Sequence, residues 1–277
     1  VGIREGIEHR ITRPSQPSDL PDILCLHGIC AGAWVFPDEF ITPWVAHGFT
    51  VHRISYRGHG QSEGADGIQR YRLADYVADV HSILATFDKP PLVVGHSLGS
   101  AIAQVLLRDQ TPLAGAVLMS PVPPQGLASV SWRLLWSDPI AYQQLWVALT
   151  VGVKQVSERV GARLLFSRSE VTPEIREFFA SCTDESPWLA ADLSGLPRLG
   201  PGQYDPESDP PVWVVSGEED RLIRPADVAG VGRFYQCAVD WVDGGSHMLM
   251  YDPDAVSVAR RLAETWVAAL KPVTPTA

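Results

Sequence analysis

Gly95-His96-Ser97-Leu98-Gly99 combines residue types that can do chemistry in a spacing that can position them. It follows the apolar run Pro91-Leu92-Val93-Val94 and precedes Ser100-Ala101-Ile102-Ala103-Gln104-Val105-Leu106-Leu107, which reads as a buried helix. A serine on a tight turn between strand and helix is the arrangement of a nucleophile elbow. Glycines at 95 and 99 would let strand and helix approach closely around it. The helix N-terminus would stabilise nearby negative charge.

A serine hydroxyl is a weak nucleophile at neutral pH and needs a base. A histidine serves if a carboxylate fixes its tautomer. In a parallel sheet the strand C-termini share one edge, so residues following different strands converge there. Among eight histidines, His247 follows the strand 239–242 within Asp243-Gly244-Gly245-Ser246-His247. Among the acids, Asp220 follows the strand 212–215 within Ser216-Gly217-Glu218-Glu219-Asp220. Glu218 and Glu219 read as solvated neighbours, and Asp243 is the reserve candidate. The expected triad is therefore Ser97, Asp220 and His247, in an order known for one hydrolase arrangement.

The elements that must hold these residues alternate. After a short β segment at 3–13 come strands near 22–26, 49–56, 91–94 and 115–120, with helices near 37–47 (weakened by Pro43), 73–87 and 100–107. Continuous apolar strands between helices imply an α/β fold with a doubly wound, mostly parallel sheet of about eight strands. The rhythm stops at Pro121. Residues 121–205 hold helical stretches near 131–160, interrupted at Pro139 and Gly152, and near 173–180. Strands resume at 212–217 and 239–242, with helices near 225–232 and 253–270. The tail 271–277 is expected to be loose.

Composition sets bounds. Of 277 residues, 45% are hydrophobic and 19% charged, as in a globular protein with a large core. A formal charge of −10 disfavours a nucleic-acid partner. No stretch approaches the ~18 apolar residues of a membrane span, and no basic amphipathic anchor is present. Val1-Gly2-Ile3-Arg4-Glu5 is too polar for a signal peptide. Cys25, Cys30, Cys182 and Cys237 are scattered, without metal-ligand spacing. Cys25 and Cys237, in apolar strand-like runs, read as buried, reduced thiols of a cytoplasmic protein, whereas Cys30 falls in a loop; no metal and no cofactor is implied. Oligomeric state is not legible.

Taken together, the chain resembles the α/β-hydrolase family over nearly its whole length. The resemblance rests on His27-Gly28 after the first core strand and on Tyr56-Arg57-Gly58-His59-Gly60-Gln61-Ser62 after the second. Gly95-His96-Ser97-Leu98-Gly99, Ser216-Gly217-Glu218-Glu219-Asp220 and Gly245-Ser246-His247 complete it. It implies a core of 1–120 and 206–277 with a helical cap, 121–205, inserted after the sixth strand. It also implies an oxyanion hole formed by the backbone N–H groups of Leu98 and Ile29, such donors supplying ~2.7–4 kcal/mol each. His27 and His59 would organise loops. His96 would pack beneath the elbow or line the pocket.

The resemblance also orders the activities. Haloalkane dehalogenase-like members carry Asp where Ser97 stands, which disfavours dehalogenation. Haloperoxidase-like and carbon–carbon bond hydrolase members share the triad. His27-Gly28-Ile29-Cys30-Ala31-Gly32-Ala33-Trp34 resembles a loop of plant methylesterases and hydroxynitrile lyases. The lyases replace the glycine and use a lysine near the base. Here Gly28 is present and no lysine lies near His247, which favours hydrolysis. The expected substrate is a medium-sized, largely apolar ester or lactone, since the cap segment is rich in apolar groups and has no basic cluster. Pocket candidates are His96, Trp132, Trp136, Trp146 and Trp188, within a wider apolar set that includes Leu145, Phe178 and Phe179. A lyase, a cofactor-free oxygenase or a ligand-binding receptor on the same scaffold are the alternatives.

Overall fold

The computed structural model describes residues 2–168, 170–195 and 198–270; the tail 271–277 lies outside them. Its centre is a sheet of eight strands in the spatial order β1-β2-β4-β3-β5-β6-β7-β8. The strands are β1 (Gly2–Arg4), β2 (Ile7–Thr12), β3 (Ile23–Leu26), β4 (Val51–Ser55), β5 (Leu92–His96), β6 (Gly115–Met119), β7 (Val212–Gly217) and β8 (Val239–Val242). From β4 to β8 every pair is parallel, whereas β1–β2 and β2–β4 are antiparallel.

Both faces of the central strands are covered, so their sequences are apolar without alternation. Leu24, Leu26, Val93, Ala116 and Leu118 pack on one side against α2 (Leu73–Leu84), α3 (Leu98–Arg108) and α9 (Pro225–Phe234). Ile23, Cys25, Val94, Val117 and Met119 pack on the other side against α1 (Asp38–Ala46) and α10 (Ala255–Leu270). Helix α1 continues through Pro43. Proline there removes only the bond to the carbonyl of Glu39, an exposed residue at the first turn, while Phe40 and Trp44 anchor the buried stripe.

Trp44 and Trp266 meet between α1 and α10, with ring centroids 5.2 Å apart. The Trp44 Nε1–H donates to the Ala259 carbonyl at 2.9 Å, whereas Trp266 Nε1 is buried without a partner among the described residues. Trp44→Phe should therefore cost about 1–2 kcal/mol more than Trp266→Phe, because only the first loses a hydrogen bond. Urea denaturation of the two variants measures this, and equal losses would contradict it.

The first β segment is a hairpin rather than one strand. Glu5 (φ 50°) and Gly6 (φ 78°) form its turn, both in the left-handed region that suits two-residue hairpin loops. Between β6 and β7 lie α4 (Ala128–Ser137), α5 (Pro139–Thr150), α6 (Glu158–Leu165), α7 (Pro173–Ser181) and α8 (Pro187–Asp192). Pro139 interrupts the helical run by starting a new helix. Asp138 caps α5 by accepting from the Ala141 N–H at 3.0 Å, and proline suits the first helical turn. Helix α8 is too short to show a period in the sequence; Ser186 caps it and Pro187 opens it. No helix among the described residues is long and apolar enough to cross a membrane.

The chain runs from β3 outward to β4, then returns across β3 to β5 and proceeds to β8. The C-terminal ends of β3 and β5 therefore flank a topological switch point, where open α/β sheets leave a crevice.

Candidate active site

Ser97 stands in that crevice. Its backbone has φ 51° and ψ −113°, a strained region for a residue with a side chain. The strain is held from below. The Ser97 N–H donates to the Met119 carbonyl at 3.0 Å. Strand β5 and helix α3 touch backbone to backbone, since a Cβ on Gly95 would collide with the Gly99 carbonyl. A Cβ on Gly99 would collide with the Leu26 carbonyl of β3. The serine is thereby thrust from the sheet edge.

The ends of β7 and β8 supply the other two groups. Gly217 and Gly245 meet so closely that a Cβ on Gly217 would strike the Gly245 carbonyl, which brings the two loops together. His247 Nδ1–H donates to Asp220 Oδ2 at 2.8 Å. Asp220 Oδ1 accepts from the N–H groups of Leu222 and Ile223, both at 2.9 Å. Asp220 is buried, whereas Glu218, Glu219 and Asp243 are exposed, so burial separates Asp220 from the three other candidates. With Nδ1 committed to Asp220, His247 Nε2 is left as an acceptor. No hydrogen bond joins it to Ser97 Oγ, although both residues line one cavity.

The His247 loop is fastened by Asp252 and Ser120, which the sequence did not single out, and by His96, which it did. Asp252 accepts from the Ser246 N–H at 2.6 Å and from the Ser246 hydroxyl at 2.9 Å. The His247 carbonyl accepts from His96 Nε2–H at 2.9 Å and from the Ser120 hydroxyl at 3.0 Å. His96 thus braces His247 and also lines the cavity. Its Nδ1 is buried without a partner among the described residues. Burial and the neighbouring His247 lower its pKa to about 3, so the ring is neutral.

Ile29 lies in the turn after β3. His27, fully buried beneath it, donates from Nδ1 to the Gly28 carbonyl at 2.8 Å and accepts the Tyr56 N–H at Nε2, 3.0 Å away. Burial holds its pKa well below the usual histidine value, so it braces the loop as a neutral ring. The N–H of Leu98, at the start of α3, and that of Ile29 have no acceptor among the described residues. Ile29 lines the cavity, and Leu98 follows the cavity-lining Ser97 directly.

The cavity encloses about 100 Å³. Gly28, Ile29, Cys30, His96, Ser97 and His247 form its floor. Ala141, Gln144, Leu145 and Ala148 of α5, Val160, Gly161 and Leu164 of α6, and Phe178 and Phe179 of α7 form its walls. Cys182, Leu222 and Met248 also line it, and the surface is mostly apolar. All four cysteines are free thiols, with Cys237 half-buried and the rest buried. Among the described residues no cluster of three or more His, Cys, Asp or Glu could hold a metal ion.

Trp132, Trp136, Trp146 and Trp188 do not line this cavity, which corrects the expectation for all four. They are 65%, 71%, 40% and 54% exposed. Helical phase is the reason. In α4 the buried residues are Val130 and Leu134. Trp132 and Trp136 lie two residues on, about 200° around the helix. Trp146 falls outside the inward stripe of Ala141, Leu145 and Ala148, and Trp188 lies over Arg72 on the surface.

Four buried imidazoles resist protonation. Burial is the first cause for each: His9 is lowered to about 4, His96 to about 3, and His27 and His52 are also lowered. The unfolded chain binds protons as pH falls through ~6.5 while the fold does not, so this stability is full above that pH and is lost toward pH 4. His59 is raised despite burial, because Glu185 outweighs it, and its contribution runs the opposite way. With four groups against one, the urea midpoint should fall between pH 7 and pH 4.5. An unchanged midpoint would contradict the neutral assignments.

A family model described as "Alpha/beta hydrolase family" matches residues 23–259. Among curated proteins, the rhodomycin D methylesterase DnrP of Streptomyces peucetius is 35% identical over 96 residues. That stretch is 34% of this chain and 32% of the relative, so the match spans about a third of the relative's length. Solved structures share the fold. An esterase from Exiguobacterium antarcticum has TM-score 0.68 and 16% identity, covering 96% of each chain. The N-acyl homoserine lactonase AidH has TM-score 0.71 and 15% identity, covering 98% of this chain and 95% of its own. A proline iminopeptidase-related protein from Thermus thermophilus has TM-score 0.69 and 21% identity, covering 98% and 96%.

Proposed function

The chain belongs to the alpha/beta hydrolase family, and from that premise we propose that it hydrolyses a small carboxylic ester or lactone whose acyl part is largely apolar. One observation carries the reading. Ser97 and the Asp220-paired His247 stand at the ends of separate parallel strands and open into one apolar cavity. The methylesterase relative and the esterase and lactonase folds agree with it.

In this mechanism His247 Nε2 takes the Ser97 proton as Oγ attacks the acyl carbonyl. Asp220 holds the imidazolium that forms. The tetrahedral oxyanion lies against the N–H groups of Ile29 and Leu98, at the N-terminus of α3. His247 then protonates the leaving alcohol, which in a lactone stays tethered to the acyl group. A water molecule, deprotonated by His247, releases the acid. The helices between β6 and β7 act as a cap, and their inward residues select the acyl group.

A fluorophosphonate probe tests the reading. Mass-spectrometric labelling of the Ser97 peptide, abolished by Ser97→Ala, is the expected result. Ready ester turnover with no labelling at Ser97 would sink it. Labelling also separates hydrolysis from a lyase or oxygenase, in which His247 works without an activated serine.

The cavity size adds a specificity prediction. Its volume is of the order of the ~150 Å³ apolar cavity that admits benzene. Ala148→Phe should fill the wall and lower kcat/KM for a hexanoyl ester about 10-fold or more relative to an acetyl ester. Equal losses on both esters would place the acyl group elsewhere.

A further inference from the structure

Glu185 is a buried carboxylate that the mechanism above does not use. It lies between α7 and α8, yet it is only 1% exposed because it reaches under the turn that carries Ile29. All four of its hydrogen bonds come from defined donors. Oε1 accepts from the Tyr76 hydroxyl at 2.6 Å and the Ser186 N–H at 2.9 Å. Oε2 accepts from His59 Nε2–H at 3.2 Å and the Cys30 N–H at 3.3 Å. Burial opposes charge on both partners, but each outweighs it for the other: His59 is raised and Glu185 lowered. His59 Nδ1–H is also engaged, donating to the Arg57 carbonyl at 3.2 Å, so the ring is an imidazolium with both protons placed.

The Cys30 contact gives this pair its consequence. Cys30 has φ 59°, a left-handed conformation that a residue with a side chain keeps only when its surroundings impose it. Both of its backbone polar groups are held by one short stretch. Its N–H goes to Glu185, and its carbonyl accepts the Thr183 N–H at 2.9 Å. One peptide earlier, His27 grips the Gly28 carbonyl, whose peptide unit carries the Ile29 N–H. The two peptide planes on either side of the Ile29 Cα are thus pinned by different parts of the molecule. The sheet domain holds one through His27, and the helical segment holds the other through Glu185.

We infer that Glu185 is a positioning residue for the Ile29 oxyanion donor, so that the helical segment sets the geometry of the oxyanion hole as well as the acyl pocket. This rests on the proposed esterase reading. Gln cannot replace it. One amide oxygen can serve only one pair of donors, which leaves an NH2 group facing either Tyr76 and Ser186 or His59 and Cys30. The turn must then shift, and an oxyanion donor displaced by a fraction of an ångström fails in the transition state while the ground state is little affected.

The test compares kcat and KM of wild type, Glu185→Gln and Arg72→Ala on an activated ester, beside the rate of fluorophosphonate labelling. Arg72 pairs with Asp192 and is a second tie from the helical segment to α2, on the surface and away from the turn. Glu185→Gln should lower kcat and the labelling rate about 10- to 100-fold with KM within about twofold. Arg72→Ala should leave both unchanged. An unchanged kcat in Glu185→Gln, a loss carried by KM alone, or an equal loss in Arg72→Ala overturns the inference. If Glu185→Gln fails to fold, Tyr76→Phe carries the test, since it keeps the carboxylate and removes one of its four donors. A several-fold loss of kcat at constant KM then supports the inference, and an unchanged kcat overturns it. Wild-type protein that neither turns over esters nor labels at Ser97 would instead remove the esterase reading itself.

Discussion

Ser97→Ala is expected to lower ester turnover by about 10⁴- to 10⁶-fold while leaving the fold intact. The size follows from cooperation within a triad, where losing the nucleophile leaves only the oxyanion donors and binding. The intact fold follows from the site. The Ser97 hydroxyl makes no hydrogen bond among the described residues, and alanine meets the same φ of 51° that serine already tolerates. The urea midpoint should shift by less than the equivalent of about 0.5 kcal/mol. Steady-state turnover of an activated ester and urea denaturation of the same preparation decide the matter. Substantial residual turnover would mean that water is activated directly by His247. A large loss of stability would mean that the hydroxyl has a structural partner.

The second large effect is on stability. Gly99→Ala should cost about 3 kcal/mol or more, because the added Cβ collides with the Leu26 carbonyl. That carbonyl belongs to the backbone of β3, paired in register with β5, and cannot rotate away as a side chain would. Overpacking of this kind is usually worth 1–3 kcal/mol, and a backbone obstacle puts it at the upper end. Gly230→Ala is the control. It lies inside α9, and an added Cβ there meets nothing closer than 3.7 Å. Alanine is the better helix former, so this change should stabilise by about 0.4–1 kcal/mol. If Gly99→Ala matched Gly230→Ala in urea denaturation, the close approach of α3 to the sheet would not be the constraint inferred for it. Activity should fall with stability in Gly99→Ala alone, since its helix carries the Leu98 amide and follows Ser97 directly.

The parallel sheet and the three residues at its edge were legible because each signal was local. A glycine-flanked serine between an apolar run and a small-residue helix needs no distant partner to be recognised. Choosing Asp220 over Glu218, Glu219 and Asp243 rested on position alone, and the structure separates them by burial. The tryptophans were misplaced because they were read by residue type. For Trp132 and Trp136 the helical phase, two residues off the Val130 and Leu134 stripe, was available and points outward. Glu185 left no signal of its own. Flanked by Thr183, Asp184 and Ser186 before a proline, it has the look of a solvated turn. Its burial depends on His59, Tyr76 and Cys30, which lie more than 100 residues away in the chain. Long-range charge pairing of that kind has no periodicity to read. The hairpin turn at Glu5 and Gly6 was also hidden, since glutamate rarely marks a left-handed position.

The dihedral angle at Ser97 has an evolutionary corollary. A side chain held at φ 51° costs the fold of the order of 1–3 kcal/mol. Glycine at 97 would relieve most of that, less its own entropic disadvantage of roughly 0.5–1 kcal/mol. Selection for stability alone therefore favours losing the serine, and on the proposed esterase reading only a demand for the reaction opposes it. Descendants of this chain freed from that demand should accumulate glycine at 97 early, before the sheet or the helices around it decay.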